Sequence, residues 1–196
     1  RNEKIKKFFL NNKKNLIIGT VVIVITLIIY FSFTEIRERN KIKLANKYNL
    51  AKINYKEAQK QITINELVEI INQNDTTYSP LALYFLLDNN LIDNNAKNNE
   101  LFDELINETN LETEIKNLVI YKKGLFNSNF STENDLLQIL NPIINSESIW
   151  KSHALYLLAE FFYSKNEKQK AKDFFNQILI LPNGNIDIKT ESQKRL

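Results

Sequence analysis

The sequence predicts an all-α fold: a single N-terminal transmembrane helix followed by a tetratricopeptide-repeat-like helical solenoid. Three observations predict it. Leu16 to Phe33 is a run of eighteen residues without a charge. Beyond it, apolar residues recur at helical spacing in runs of about ten to eighteen residues, separated by short polar breaks. Glycine and proline number three each in 196 residues. That scarcity disfavours a turn-rich sandwich or barrel, and no stretch alternates with period two for long enough to argue a strand.

The apolar run is the first element. Its centre, Val21 to Ile29, is interrupted only by Thr26. Eighteen residues lie near the short end for a bilayer span. Lys13 and Lys14 bound one end, and Tyr30, Phe31 and Phe33 cluster at the other as an interfacial aromatic girdle would. A cleaved signal peptide would need a shorter apolar run and a small-residue cleavage site, for which Ser32-Phe33-Thr34-Glu35 is poor. A helix buried in a globular domain would rarely be apolar on every face. A retained anchor is therefore expected.

Charge divides the chain further. Residues 1–15 carry six basic and one acidic side chain, 34–60 eight and three, and 61–196 twelve and nineteen. Basic residues thus flank the apolar run, where anionic lipid headgroups would lie. The acidic distal part is a poor match for a phosphate backbone, so nucleic acid is not an expected partner. The organisation read from this is a basic tail at 1–15, a transmembrane helix at 16–33, a juxtamembrane helix at 34–60 and a repeat domain at 61–196. By basic residues alone the two flanks of the run differ only slightly, which weakly favours a cytoplasmic N-terminus.

The juxtamembrane helix is read from Leu44, Tyr48, Ala51, Tyr55 and Ala58, spaced by four and three, with Ile36 on the same face. After it, Thr63-Ile64-Asn65-Glu66, Thr109-Asn110-Leu111-Glu112 and Ser164-Lys165-Asn166-Glu167 read as capping boxes, and Ser79-Pro80 as an N-cap with proline at the first helical position. Helices are expected near 64–73, 80–89, 93–107, 111–127, 132–145, 148–163, 167–181 and 187–195. Short helices with short turns suggest stacked antiparallel hairpins.

A repeat is best seen over 148–182. Leu155, Leu158, Ala159, Phe162, Ala171 and Phe175 take the places of the tetratricopeptide pattern, and Pro182 closes the unit. Small residues at Ala159 and Ala171 would let two helices cross closely. A weaker unit spans 80–107, with Leu83, Leu87 and Ala96 in equivalent places, Tyr84 where a small residue is expected and Glu100 where a large one is. The segment 111–145 keeps the rhythm without small residues at the crossing. The asparagine-rich turns at 88–99 and 127–134 read as exposed loops with no specific role.

Together, these features resemble the bacterial inner-membrane YfgM-like family of tetratricopeptide-like proteins, ancillary to the SecYEG translocon. The resemblance rests on the basic N-terminus, the single anchor, the helix with Ala51, Tyr55 and Ala58, and above all Leu140-Asn141-Pro142-Ile143, Trp150, His153-Ala154, Leu157-Leu158-Ala159, Ala171, Phe175, Leu179, Pro182 and the closing Gln193-Lys194-Arg195-Leu196. Asn166 stands where the family has a glycine in the inter-helix turn. The resemblance implies a single-pass inner-membrane protein with a cytoplasmic N-terminus and a periplasmic C-terminal domain. It also implies protein partners, among them the SecYEG translocon, periplasmic chaperones and client polypeptides, and no enzymatic activity.

Candidate chemistry is sparse. Without cysteine there is no disulfide, thiolate nucleophile or Cys-based metal site. His153 is the only histidine and reads as a surface or groove residue, with no HExxH-like spacing around it. Ser148-Ile149-Trp150-Lys151 has the Ser-x-x-Lys spacing of some hydrolases without their companion motifs, so Ser148 reads better as a helix cap. Asp103-Glu104 and the pair Glu112 and Glu114 read as solvated charges, and Gly19, Gly124 and Gly184 as isolated residues outside any phosphate loop. Trp150 is either core or binding hot spot. No catalytic, cofactor or metal residue is expected. The function implied is a membrane-anchored protein-binding scaffold, or alternatively a structural accessory subunit of an inner-membrane complex.

Overall fold

A computed structural model describes residues 10–196. Residues 1–9 of the expected basic tail lie outside the described residues. Among the described residues there are nine α-helices and no strand. They are α1 (Lys13–Asn54), α2 (Lys60–Ile71), α3 (Tyr78–Asp88), α4 (Asn95–Glu108), α5 (Thr113–Asn127), α6 (Glu133–Ile144), α7 (Lys151–Ser164), α8 (Lys168–Ile180) and α9 (Ile186–Lys194). A 3-10 turn, Glu57–Gln59, precedes α2. By its contacts the chain divides between Lys47 and Tyr48.

In the first unit α1 carries the apolar run. It is long and apolar enough to cross a membrane, and none of its apolar window is buried. Its polar interruptions are satisfied within the helix. The hydroxyls of Thr20 and Thr26 each donate to the carbonyl four residues back at 2.9 Å, and that of Thr34 does so at 2.7 Å.

The second unit begins inside α1, where Tyr48 and Ala51 are buried. Tyr48 packs on Tyr78, ring centroids 6.0 Å apart. The helix expected to reach residue 60 stops at Asn54. Outside the helix, Tyr55 meets Phe85 edge-on at 5.9 Å, and Ala58, past the break, is exposed. The 4–3 stripe thus ends where the chain leaves helical geometry.

Successive helices pack as neighbours throughout α2–α9, most extensively α7 against α8. Alternate helices also touch: α2 with α4, α5 with α7, and α7 with α9. The core of the C-terminal half holds Leu136, Leu140, Ala154, Leu158, Ala159, Phe162, Ala171 and Phe175 among others. Ala159 and Ala171 are both fully buried where α7 meets α8. Ala96 and Glu100 are exposed, and the core face of α4 is Asn98, Leu101, Phe102 and Leu105. The 80–107 unit therefore does not share the crossing of 148–182. The segment 111–145 does have a small residue at its crossing, Gly124, which is buried under Leu140.

Four expected helix starts are corrected. Thr63 is buried inside α2, which starts three residues earlier. Neither Thr109 nor Ser164 is an N-cap: Thr109 follows the last residue of α4 as its C-cap and donates its hydroxyl hydrogen bond to Asn74, 35 residues back, and Ser164 is the last residue of α7. Ser79 and Pro80 lie within the first turn of α3. There Ser79 Oγ accepts from Asp75 N–H and donates to the Ile70 carbonyl, both at 2.9 Å, while Asp75 Oδ1 takes the amides of Thr77 and Tyr78. The capping box that does form pairs Thr132 with Asp135.

The asparagine-rich turn at 88–99 is largely exposed as expected, but asparagines there and elsewhere have specific backbone roles, contrary to expectation. Asn74, Asn90 and Asn166 have φ of 52°, 48° and 63°, the left-handed region in which glycine is usual. At Asn90 the amide of Leu91 reaches the Leu86 carbonyl and that of Asn90 reaches Leu87. At Asn166 the amide of Glu167 reaches Phe162 and that of Asn166 reaches Tyr163. Both are Schellman closures with asparagine in the glycine position. Asn94 and Asn185 cap α4 and α9. Asn99 and Asn127 exchange amide hydrogen bonds at 3.0 and 2.8 Å between α4 and α5. Asparagine's short amide tolerates left-handed backbone and bonds locally, so it fills in this chain the roles that glycine and serine fill elsewhere.

Candidate functional site

The feature that stands out on the second unit is an aromatic cluster shared by two alternate helices. Tyr121 comes from α5, Trp150 from the residue before α7, and His153 from its first turn. Tyr121 and Trp150 stack with centroids 5.8 Å apart and planes at 19°. His153 sits 5.1 Å from Trp150 and 5.8 Å from Tyr121. All three are half-buried, so Trp150 is neither core nor fully exposed. Ile149 beside them is 67% exposed.

The cluster is held from below. Glu114, in the first turn of α5, accepts hydrogen bonds on Oε2 from the Ser148 hydroxyl at 2.8 Å and the Ile149 amide at 3.3 Å. Ser148 Oγ in turn accepts from Trp150 N–H at 3.1 Å. Ser148 thus orders the entry to α7 without being its formal cap, and its hydroxyl is engaged by Glu114 rather than by Lys151. The solvated reading of Glu114 is corrected: it ties two helices together. Asp103 and Glu104 also have structural partners, Lys123 at 2.6 Å and the Asn74 amide at 3.3 Å.

Burial lowers the His153 pKa, and a hydrogen bond with the Ile149 backbone works the other way. Its Nδ1 is buried without a partner of ordinary geometry. Burial raises the pKa of Tyr121. Tyr84 is pushed up to about 12, also by burial, and Lys122 lies over its ring at 4.6 Å. Neutral, ring-lined surface is what these groups offer at neutral pH.

No family model matches the chain, and no curated protein or solved structure matches it.

A second cluster joins α7 to α9. Arg195 donates to Glu160 Oε2 at 3.0 Å and lies over the Tyr163 ring at 5.1 Å. Arg195 also hydrogen-bonds Tyr156. Among the described residues, no group of three or more histidine, aspartate or glutamate side chains is placed to hold a metal ion. Surface hollows lie near Leu179, Lys189 and Gln193, and on two sides of Ile92 and Asp93. The aromatic cluster can present planar, partly desolvated rings to another surface. The spacing of Trp150 and His153 on one helix face was visible in the sequence. Tyr121, 29 residues before Trp150, carried no signal that would join it to them.

Proposed function

We propose that this chain is a membrane-anchored protein-binding scaffold of tetratricopeptide-like hairpins. Leu16 to Phe33 would hold it in a bacterial inner membrane with residues 34–196 on the periplasmic side. There it would assist the handling of secreted or membrane proteins near the translocon, as the YfgM-like resemblance implies. The observation that carries the reading is the apolar run itself. It is helical, uncovered along its whole length, and its threonine hydroxyls are satisfied internally. A hydrocarbon environment asks the same of a helix: apolar faces outward and no unpaired polar group.

The binding half of the reading is supported by the Tyr121–Trp150–His153 cluster. Tryptophan and tyrosine in a partly desolvated stack have the chemistry of an interface anchor. Contacts between alternate helices also occur in stacked-hairpin arrays, whose side-chain surface exceeds what the fold itself can bury. The exposed run would equally suit packing against other transmembrane helices, which favours the accessory-subunit reading as the alternative.

A photocrosslinking amino acid at Ile149 in the full chain, in native membranes, tests the scaffold reading. Crosslinks to defined polypeptides from position 149, and none from Lys172 on α8, are expected. Crosslinks that depend only on the anchor, and vanish when residues 16–33 are replaced by an unrelated span, favour the accessory subunit.

A further inference from the structure

Past Phe33, α1 continues without a break into a basic stretch. Arg37, Arg39, Lys41 and Lys43 are all exposed. Arg39 is paired through Nε with Glu35 at 2.7 Å. Arg37, Lys41 and Lys43 form no ion pair with a described residue. At about 1.5 Å of rise per residue, the four lie roughly 6, 9, 12 and 15 Å beyond Phe33. At 3.6 residues per turn, Arg37 and Lys41 fall on one side of the helix, and Arg39 and Lys43 fall about 160° round from them.

We infer that residues 37–43 form a basic collar that binds the phosphates of anionic phospholipids at the bilayer surface beside the anchor. The inference rests on the proposal that Leu16–Phe33 spans a membrane. Placement on two nearly opposite sides decides the kind of partner. A peptide or nucleic-acid strand meets one face of a helix, whereas lipids surround a spanning helix on every side. Depth agrees. Tyr30, Phe31 and Phe33 are exposed at the end of the run, where aromatic residues mark the membrane–water boundary. The polar layer is about 5–8 Å thick per leaflet, which brings Arg37 and Arg39 to the headgroups. Lys41 and Lys43 lie within about one further Debye length, roughly 8 Å at physiological salt. Arginine's planar fork matches phosphate in two-point contacts. Glu35 and Glu38 oppose the collar, but four basic residues against two acidic ones leave a positive surplus over 34–43.

The test uses the full chain in detergent, titrated with phosphatidylglycerol or phosphatidylcholine, with bound lipids counted by native mass spectrometry. The same titration is run on the four-site variant R37Q/R39Q/K41Q/K43Q and on K13Q/K14Q, which alters the opposite flank. A basic residue near an anionic surface contributes a factor of roughly five. The four-site variant should therefore lose at least tenfold of the wild-type preference for phosphatidylglycerol, with phosphatidylcholine binding unchanged. An unchanged preference in that variant, or a loss confined to K13Q/K14Q, would overturn the collar. So would a chain without lipid preference that captures polyglutamate or polyuridylate in a salt-sensitive way. Flotation with zwitterionic vesicles after an alkaline wash separates the two premises. A chain that leaves the vesicles contradicts the anchor, whereas a chain that stays but shows no phosphatidylglycerol preference contradicts the collar alone.

Discussion

Gly124 on α5 lies directly beneath Leu140 on α6: a Cβ at Gly124 would come within 2.5 Å of Leu140 Cδ2 and 3.0 Å of its Cγ. Leu140 is fully buried, so its side chain cannot give way by swinging out into solvent.

Two effects compete in Gly124→Ala. Alanine is favoured over glycine in a helix by about 1 kcal/mol, and overpacking a core costs about 1–3 kcal/mol. The close approach makes the second larger, so the substitution should lower stability by about 1 kcal/mol. In a Leu140→Ala background, itself costing about 2–5 kcal/mol, the clash is gone and Gly124→Ala should become stabilising. A double-mutant cycle by urea unfolding measures this. The same sign in both backgrounds would mean that the two residues are not coupled.

Ala171 is buried at the α7–α8 crossing. Ala171→Leu adds three carbons there and should cost about 1–3 kcal/mol. Thermal melts followed by circular dichroism should show a clear fall in Tm. An unchanged Tm would place Ala171 outside the crossing.

Asn166 holds a φ of 63° and closes α7 with two backbone hydrogen bonds. Asn166→Ala, which must adopt left-handed backbone with a Cβ and no amide, should cost about 1 kcal/mol. Asn166→Gly should be neutral or slightly stabilising, since glycine adopts this conformation freely. Equal losses in both variants would show that the amide side chain, rather than the backbone angle, is what the turn requires.

These three positions show what was legible in the sequence. The helices were, because apolar spacing is a local signal: α4 to α9 each fall within three residues of the expected spans. Ala159 and Ala171 were, because small residues at a fixed spacing in an otherwise bulky pattern mark a crossing. Gly124 was not, since its meaning depends on Leu140, sixteen residues later on another helix. The capping boxes failed for a related reason. A Ser/Thr-x-x-Glu spacing is local, but Thr63 was taken into a helix that starts earlier, and Thr109 was taken by Asn74 across a turn. The asparagine closure at Asn90 was hidden by composition, because a chain rich in asparagine makes each one look incidental, whereas Asn166 was marked only as standing in the place of a turn glycine. Trp150 and His153 were each noted in the sequence, but separately, and the stack that joins them needed Tyr121.

His153 supplies a pH dependence. Its folded pKa is lowered by burial below the usual 6.5. The unfolded chain therefore binds this proton more readily than the folded one. Stability should be full above about pH 6.5 and fall as pH drops below it. Unfolding midpoints measured between pH 5.5 and 8, with Trp150 fluorescence as one probe, should show this slope, and His153→Gln should flatten it. An identical slope in the variant would assign the dependence to other groups.

The account rests most heavily on the apolar run, and alkaline extraction tests it most directly. Membranes from cells making the full chain are washed at high pH, which strips peripheral proteins, and the pellet is probed for the chain. The wild-type chain should remain in the pellet. Val24→Arg, which puts a charge near the middle of the run, at a cost of about 2.5–3.5 kcal/mol for insertion, should shift a substantial fraction to the supernatant. A wild-type chain found in the supernatant, or a pellet fraction indifferent to Val24→Arg, would contradict the membrane anchor on which the proposed function depends.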